Sequence, residues 1–410
     1  MAEGIEFVEG ASLTAVPGFR AAGVACGIKQ SGKLDFALVV SDRPCSAAAV
    51  FTTNRIQSPS VTFDRELLRE HGDRLRAVAI NSGCANAVTG AQGLADAREM
   101  ARLAAVATGD ADATVAVMST GVIGQLLPMD RVAEGVRMAA AALSSDEENG
   151  HAAAQAIMTT DTRPKEAAVR TVIGGKPVTF AGMCKGSGMI HPDMATMLAT
   201  VVTDAAIAPV ALQAAVRYAA DRSFNAVTVD GDASTNDTFL VLANGAAGNV
   251  PIESTEGDDF IRFRDVLTAV AARLAQEIAR DGEGATKFVT VEVRGAPSFE
   301  QARQAARIIA TSTLVKTAIY GEDANWGRVL AAIGRSGVEV NPERIALWFD
   351  DLQLVADGAP LPYEEADAHA TLTKPEVKIT VDLGLGEASA TVWTCDLSHD
   401  YVSINADYRT

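Results

Sequence analysis

The chain has 410 residues, 48% of them hydrophobic, with 52 acidic against 35 basic side chains and a formal net charge of −17. That length allows one large domain or two, with a core that needs no metal or disulfide, and the acidic balance argues against nucleic-acid and anionic-membrane partners, which need clustered Lys and Arg. Five scattered cysteines without a C-x-x-C pair fit a reducing compartment and argue against structural zinc, and the opening MAEGIEF lacks the basic and apolar regions of a leader, so a soluble cytoplasmic protein is expected.

Strand text begins at residues 34–41, LDFALVVS, and resumes after Asp42-Arg43-Pro44 at residues 47–52, before Thr53-Asn54-Arg55. Residues 77–90 read as a short apolar strand broken by Asn81-Ser82-Gly83, followed by a helix at 94–107. Cys84 in that turn suits a small buried residue rather than a nucleophile. The next strand, 114–118, delivers Ser119-Thr120-Gly121 into a turn, which can aim a hydroxyl and a backbone N–H at one point, as an oxyanion hole requires. Helical text at 129–143 and 152–158 leads to Thr159-Thr160-Asp161-Thr162, and a hairpin at 167–182 turns at Gly174-Gly175.

The hairpin presents GMCKGSGMIHPDMATMLAT, residues 182–200. Gly186, Gly188 and Pro192 exclude a helix interior there, whereas the apolar run from Met197 enters the core. Thr196 thus stands at the mouth of a core element. A threonine becomes a nucleophile when a base sits beside it, and cutting the Ala195–Thr196 bond would supply its own α-amine, which titrates near pH 8. The same residues also read as a strand threonine among core neighbours. Lys185 is a local cation able to offset the acidic background.

Further on come a helix at 209–221 and the polar stretch 223–238, where Asn225 or Asp230 could support a site. A calcium loop counted from Asp230 would need glycine and glutamate where Thr235 and Val241 stand, so calcium is rejected. The amphipathic helix 258–280 ends at Asp281-Gly282-Glu283-Gly284, a carboxylate on a bent loop before strand 287–293. Ser298 with Gln301 suggests a capping box for helix 299–310. Asp323, Asn325 and Arg328 make a local polar network, and residues 345–405 read as short strands, YVSIN the last of them.

Taken together, the 182–200 stretch, NSG…ANA, the Ser-Thr-Gly turn, TTDT, DGEGATK, GEDANWGR and the terminal NADYRT resemble the ornithine acetyltransferase family in order and spacing over essentially the whole chain. The resemblance implies a layered α/β/β/α-type core, similar to that of N-terminal-nucleophile hydrolases but differently connected, with a C-terminal α/β lobe from about 287 to 410. It implies self-cleavage between Ala195 and Thr196 into an α chain, 1–195, and a β chain, 196–410, with a dimer of αβ units.

It further implies transfer of acetyl from N-acetylornithine to glutamate by a ping-pong acetyl-threonine route. Thr196 is then the nucleophile and Thr120 with Gly121 the oxyanion hole, while Thr159 or Thr160, Lys185, Glu283, Asn405 and Thr410 bind substrate. No metal or organic cofactor is expected; acetyl-CoA is a further donor used by some members. A self-processing amidase or aminopeptidase with the same nucleophile, and a noncatalytic binding protein, are the alternatives.

Overall fold

The computed structural model describes residues 5–110, 114–191 and 197–407. Nine strands in this range form one bent sheet: β1 (Glu6–Phe7), β2 (Phe19–Val24), β3 (Phe36–Phe51), β4 (Leu75–Cys84), β5 (Val115–Val122), β6 (Lys165–Ile173), β7 (Lys176–Lys185), β8 (Leu198–Thr203) and β9 (Thr238–Ala243). Their order is β1-β6-β7-β8-β9-β3-β4-β5, with β2 also on β3.

The bend lies in β3. Its first half, from Phe36, pairs with β2 and β4, and its second half, Ser46 to Phe51, pairs with β9. The two strands expected around Asp42-Arg43-Pro44 are therefore one. The ladder to β4 slips between Val40 and Cys45, and Pro44, which has no N–H to donate, is tolerated at such an irregularity.

Folding the sheet on itself produces four layers. The two halves face each other across a core that includes Val39, Ile80 and Met118 from one half and Met183, Val202 and Leu242 from the other. The opposite face of the β6–β9 half packs on helices Pro209–Asp221 and Asp258–Arg280, through Val169, Val201 and Val241 against Leu212, Leu267 and Leu274. The outer face of the other half, with Leu38, Ala79 and Val117, packs on helices Gly90–Ala107 and Met129–Ala142. This is the expected layered α/β class. Because both faces of β8 and β9 are covered, every residue of both strands is buried, and their text, LATVVT and TFLVLA, shows no polar–apolar alternation.

From β10 onward the chain carries a second sheet, with β10 (Phe288–Ala296), β11 (Ala346–Phe349), β12 (Leu352–Ala356), β13 (Ala359–Pro360), β14 (Glu376–Asp382) and β15 (Ala388–Cys395) in the order β13-β12-β11-β14-β10-β15. Its apolar core is its own, with Val291, Ile309, Leu347 and Ile379 among its members and Trp326 packed at its edge. The side chain of Ser298 caps helix Phe299–Ala310 by accepting the Gln301 N–H at 3.3 Å.

Two further expectations are corrected. Strand β4 runs on through Asn81-Ser82-Gly83, and β5 through Ser119-Thr120-Gly121, because the two pair in parallel as far as Gly83 opposite Gly121. YVSIN is helix, within His399–Asp407. Its alternation is not used for burial, since Val402 is 66% exposed, and the turn into it is set by Ser398, whose hydroxyl donates to the Gly284 carbonyl and accepts from the Asp400 N–H. Among the described residues, no helix is long and apolar enough to cross a membrane.

Candidate functional site

Several strands end around one cleft of about 270 Å³. Strand β5 brings Thr120 and Gly121 to it and β7 brings Lys185; Thr159 and Thr160, Glu283, and Asn405 of the last helix complete the wall. These residues come from five separate stretches of the sequence, and each was picked out by its motif. Ala195 and Thr196, and Thr410, lie outside the described residues. The chain resumes at Met197, whose carbonyl accepts the Thr238 N–H at 3.1 Å, and Leu198 pairs with Lys185 on one side and Thr238 on the other.

At one side of the cleft, the buried Lys185 ammonium donates to the Thr120 hydroxyl oxygen at 3.3 Å. Gly121 takes a φ of +130° beside Gly83, and a Cβ there would lie 2.3 Å from the Gly83 carbonyl carbon. The parallel β4–β5 pair thus needs glycine at this point, and it leaves backbone rather than side chain next to Thr120. Asn236 ties the loop before β9 to β5 and to the residue just past β4, donating to the carbonyls of Ser119 and Ala85 at 2.7 Å each.

The opposite wall is acidic. Glu283 accepts from Asn405 Nδ2 at 2.8 Å, and its backbone N–H donates to the Ser187 carbonyl. Asp230 accepts from the N–H groups of Met189 and Ile190 and from the Tyr401 hydroxyl at 3.2 Å. Burial raises the Tyr401 phenol, and the nearby carboxylates of Asp230, Glu283 and Asp232 raise it further, so it stays a donor. Among the described residues, one cation, Lys185, and three carboxylates, Asp230, Asp232 and Glu283, line the cleft. Such a site suits a ligand carrying both an ammonium and an anionic or carbonyl oxygen.

Between Thr159 and Thr160 the geometry gives each a role. The Thr159 N–H donates to Asp161 at 2.9 Å, while the Thr160 hydroxyl meets the Ser187 hydroxyl at 3.3 Å. Asp161 also accepts the Gly186 N–H at 2.7 Å. Burial would raise this carboxyl, but Lys165 and then Lys185 outweigh it and hold it at about 2. For Lys185 burial wins, lowering the ammonium against the pull of Asp161 and Asp237. Asn225 bonds Asp221 instead and does not line the cleft. Cys84 is buried, with its thiol raised by desolvation. The Asp323–Asn325–Arg328 network forms, with Asn325 bonded to Asp323 and to the Arg328 N–H, but away from the cleft.

Sequence reasoning missed Asn236, Tyr401 and the buried Lys165, which bonds Asp161 and Asp281. Lys165 follows Arg163-Pro164 in polar text and carries no mark of burial; only the acids at 161 and 281, both inside quoted motifs, could have hinted at a partner.

Residues 20–410 match the ArgJ family. The arginine biosynthesis bifunctional protein ArgJ of Symbiobacterium thermophilum is 55% identical over 400 residues, covering 97% of this chain and 98% of that protein. Its namesake from Geobacter sulfurreducens is 51% identical over 397 residues, covering 96% and 100%. Among solved structures, an ornithine acetyltransferase of Mycobacterium tuberculosis complexed with ornithine is 39% identical, over 47% of this chain and 99% of that chain, with a TM-score of 0.42. The resemblance carried by the motifs is matched by similarity over nearly the whole length, and this chain belongs to the ArgJ family.

Proposed function

We propose that this protein is an acetyltransferase of arginine biosynthesis that moves acetyl from N-acetylornithine to glutamate, after cutting itself between Ala195 and Thr196. The observation that carries the reading is the convergence of Thr120, Gly121, Lys185, Glu283 and Asn405 on one cleft. The relatives' shared name, a bifunctional protein of arginine biosynthesis, supports the same pathway.

In this mechanism the Thr196 hydroxyl attacks the acetyl carbonyl and its own α-amine takes the proton. A C–O bond forms, the acetyl C–N bond breaks, and the α-amine returns the proton to the leaving amine of ornithine. Lys185 donates to the Thr120 oxygen, so Thr120 keeps its own proton for the oxyanion, beside the Gly121 N–H. Glu283, held by Asn405, receives an ammonium of the substrate, and a threonine of the 159–162 stretch, with Thr410, completes the binding set. Glutamate then enters and its neutral amine attacks the acetyl ester; a C–N bond forms, the C–O bond breaks, and the α-amine passes the proton lost by glutamate to the Thr196 oxygen, which is released as hydroxyl. No step calls for a metal or organic cofactor; acetyl-CoA is a second donor open to the same acyl-enzyme. The two chains stay in one unit, and pairs of units associate in the cytoplasm.

Intact mass under denaturing conditions tests this. Wild type should give fragments starting at the N-terminus and at Thr196, Thr196→Ala a single chain, and N-acetylornithine an acetyl increment on the second fragment that glutamate removes. Hydrolysis at a rate indifferent to glutamate would make the protein an amidase, and an uncut wild type would end the nucleophile assignment.

A further inference from the structure

Behind the cleft wall lies a buried ionic bridge that contributes no atom to the cleft lining. Lys165 Nζ donates to Asp161 Oδ1 at 2.6 Å and to Asp281 Oδ2 at 2.5 Å, and the three side chains are 0%, 0% and 4% exposed. Each carboxylate is also bound to backbone. Asp161 accepts the N–H groups of Thr159 and Gly186; Asp281 accepts the Thr162 N–H at 3.0 Å and the Thr162 hydroxyl.

The bridge therefore joins three segments: the 159–162 stretch, the turn after Lys185, and the loop after helix Asp258–Arg280 that bears Glu283. A second link runs parallel to it, from the Glu283 N–H to the Ser187 carbonyl at 2.8 Å. Gly186 is one residue from Lys185, and Asp281 is two from Glu283. Buried ion pairs stabilise little relative to an apolar filling of the same volume, because desolvation offsets their attraction, and in some proteins their use is to select one geometry over its neighbours. A displacement of about 1 Å of a substrate-holding group can cost about 100-fold in rate.

We propose that Lys165 is a positioning residue, and that the Asp161–Lys165–Asp281 bridge fixes the separation between Lys185 and Glu283, the two charged groups that hold opposite ends of the substrate. The inference rests on the acetyltransferase reading of the cleft. Since both amino acids occupy the site in turn, loss of the bridge weakens both half-reactions, chiefly through binding, with a smaller loss through the hold of Lys185 on the Thr120 hydroxyl.

The test is a cycle of Lys165→Met, Asp281→Asn and the double variant. Lys165→Met leaves two buried carboxylates without their cation, at a cost in folding; Asp281→Asn keeps the shape and an acceptor for Thr162, and the double variant restores the native net charge of the bridge. Folding is read by circular dichroism and self-cleavage by mass.

Asp281→Asn should fold and self-cleave, yet raise KM for both N-acetylornithine and glutamate by about ten-fold, the scale of one lost charge-assisted contact. Its kcat should fall by no more than about three-fold, since the Gly121 N–H is untouched and the Thr120 hydroxyl is reached only through Lys185. The double variant should regain part of the activity lost by Lys165→Met. Variants that melt earlier but keep wild-type KM values would reduce the bridge to packing and overturn the proposal while leaving the acetyltransferase reading intact. A folded wild type that transfers no acetyl group in the same assay would overturn both.

Discussion

Gly188→Ala isolates the binding half of the site from the fold. A Cβ built at Gly188 lies 2.2 Å from Glu283 Oε2 and 2.5 Å from Oε1. Ordinary van der Waals contact begins near 3.4 Å, so the carboxylate must retreat by about 1.2 Å or more. The Asn405–Glu283 hydrogen bond is 2.8 Å, and a retreat of that size takes it past the range in which such a bond holds.

Two charge-assisted contacts are then at stake, the one to Asn405 and the proposed one to the substrate ammonium. Each is worth about 1.5–3 kcal/mol, and loss of the substrate contact alone lowers kcat/KM by about 10- to 150-fold. The clash is with the far end of a flexible side chain, so stability should fall by no more than about 2 kcal/mol. At Gly121 the same added methyl would meet backbone of Gly83 and Cys84, which cannot retreat, and Gly121→Ala should misfold. Steady-state kinetics on both substrates with a thermal melt decide the matter. Gly188→Ala with kcat/KM within two-fold of wild type would refute the placement of Glu283 as a substrate contact.

Asp161, held at about 2 in the fold against about 3.9 unfolded, contributes stability that is present above pH 4 and lost as pH falls through 2, on the order of 2 kcal/mol. Acid titrations of wild type and Asp161→Asn should converge by about this amount between pH 5 and 2, and parallel curves would remove Asp161 from the account. All five cysteines are buried, and burial raises each thiol, those of Cys26 and Cys45 to about 12. A thiol reagent at pH 8 should find almost none in the native protein and five in guanidinium, because the thiolate is the reactive form; one fast native thiol would contradict that packing.

Much of the site was legible because glycine, proline and small hydroxyl residues mark special backbone, and those marks fell on the cleft-lining segments. Gly121 is required by the close approach of β4, and Glu283 stands between two glycines on a bent loop. The amphipathic helix at 258–280 was legible for another reason, its 3.6-residue period matching a single buried face. What stayed hidden depends on partners distant in sequence. The continuity of β3 needed knowledge of two neighbours, β4 and β9. The helix at 399–407 is set by Ser398 holding Gly284, 114 residues away, which overrides the local β-branched alternation. Lys165 is invisible for the same reason: a lysine's burial is set by carboxylates that only the fold supplies.

The strand order also bears on how the protein can be made. Strands β8 and β9 lie between β7 and β3, so the later part of the chain gives this sheet an inserted pair, laddered to earlier chain on both sides. Residues 1–195 produced alone would hold a sheet with a two-strand gap and two unpaired inner edges, an invitation to aggregate. Residues 197–407 would hold that pair under its two helices with both outer strand edges unpaired. Both parts should therefore be made as one polypeptide, and a cut between them that follows closure of the sheet leaves them joined by these two ladders.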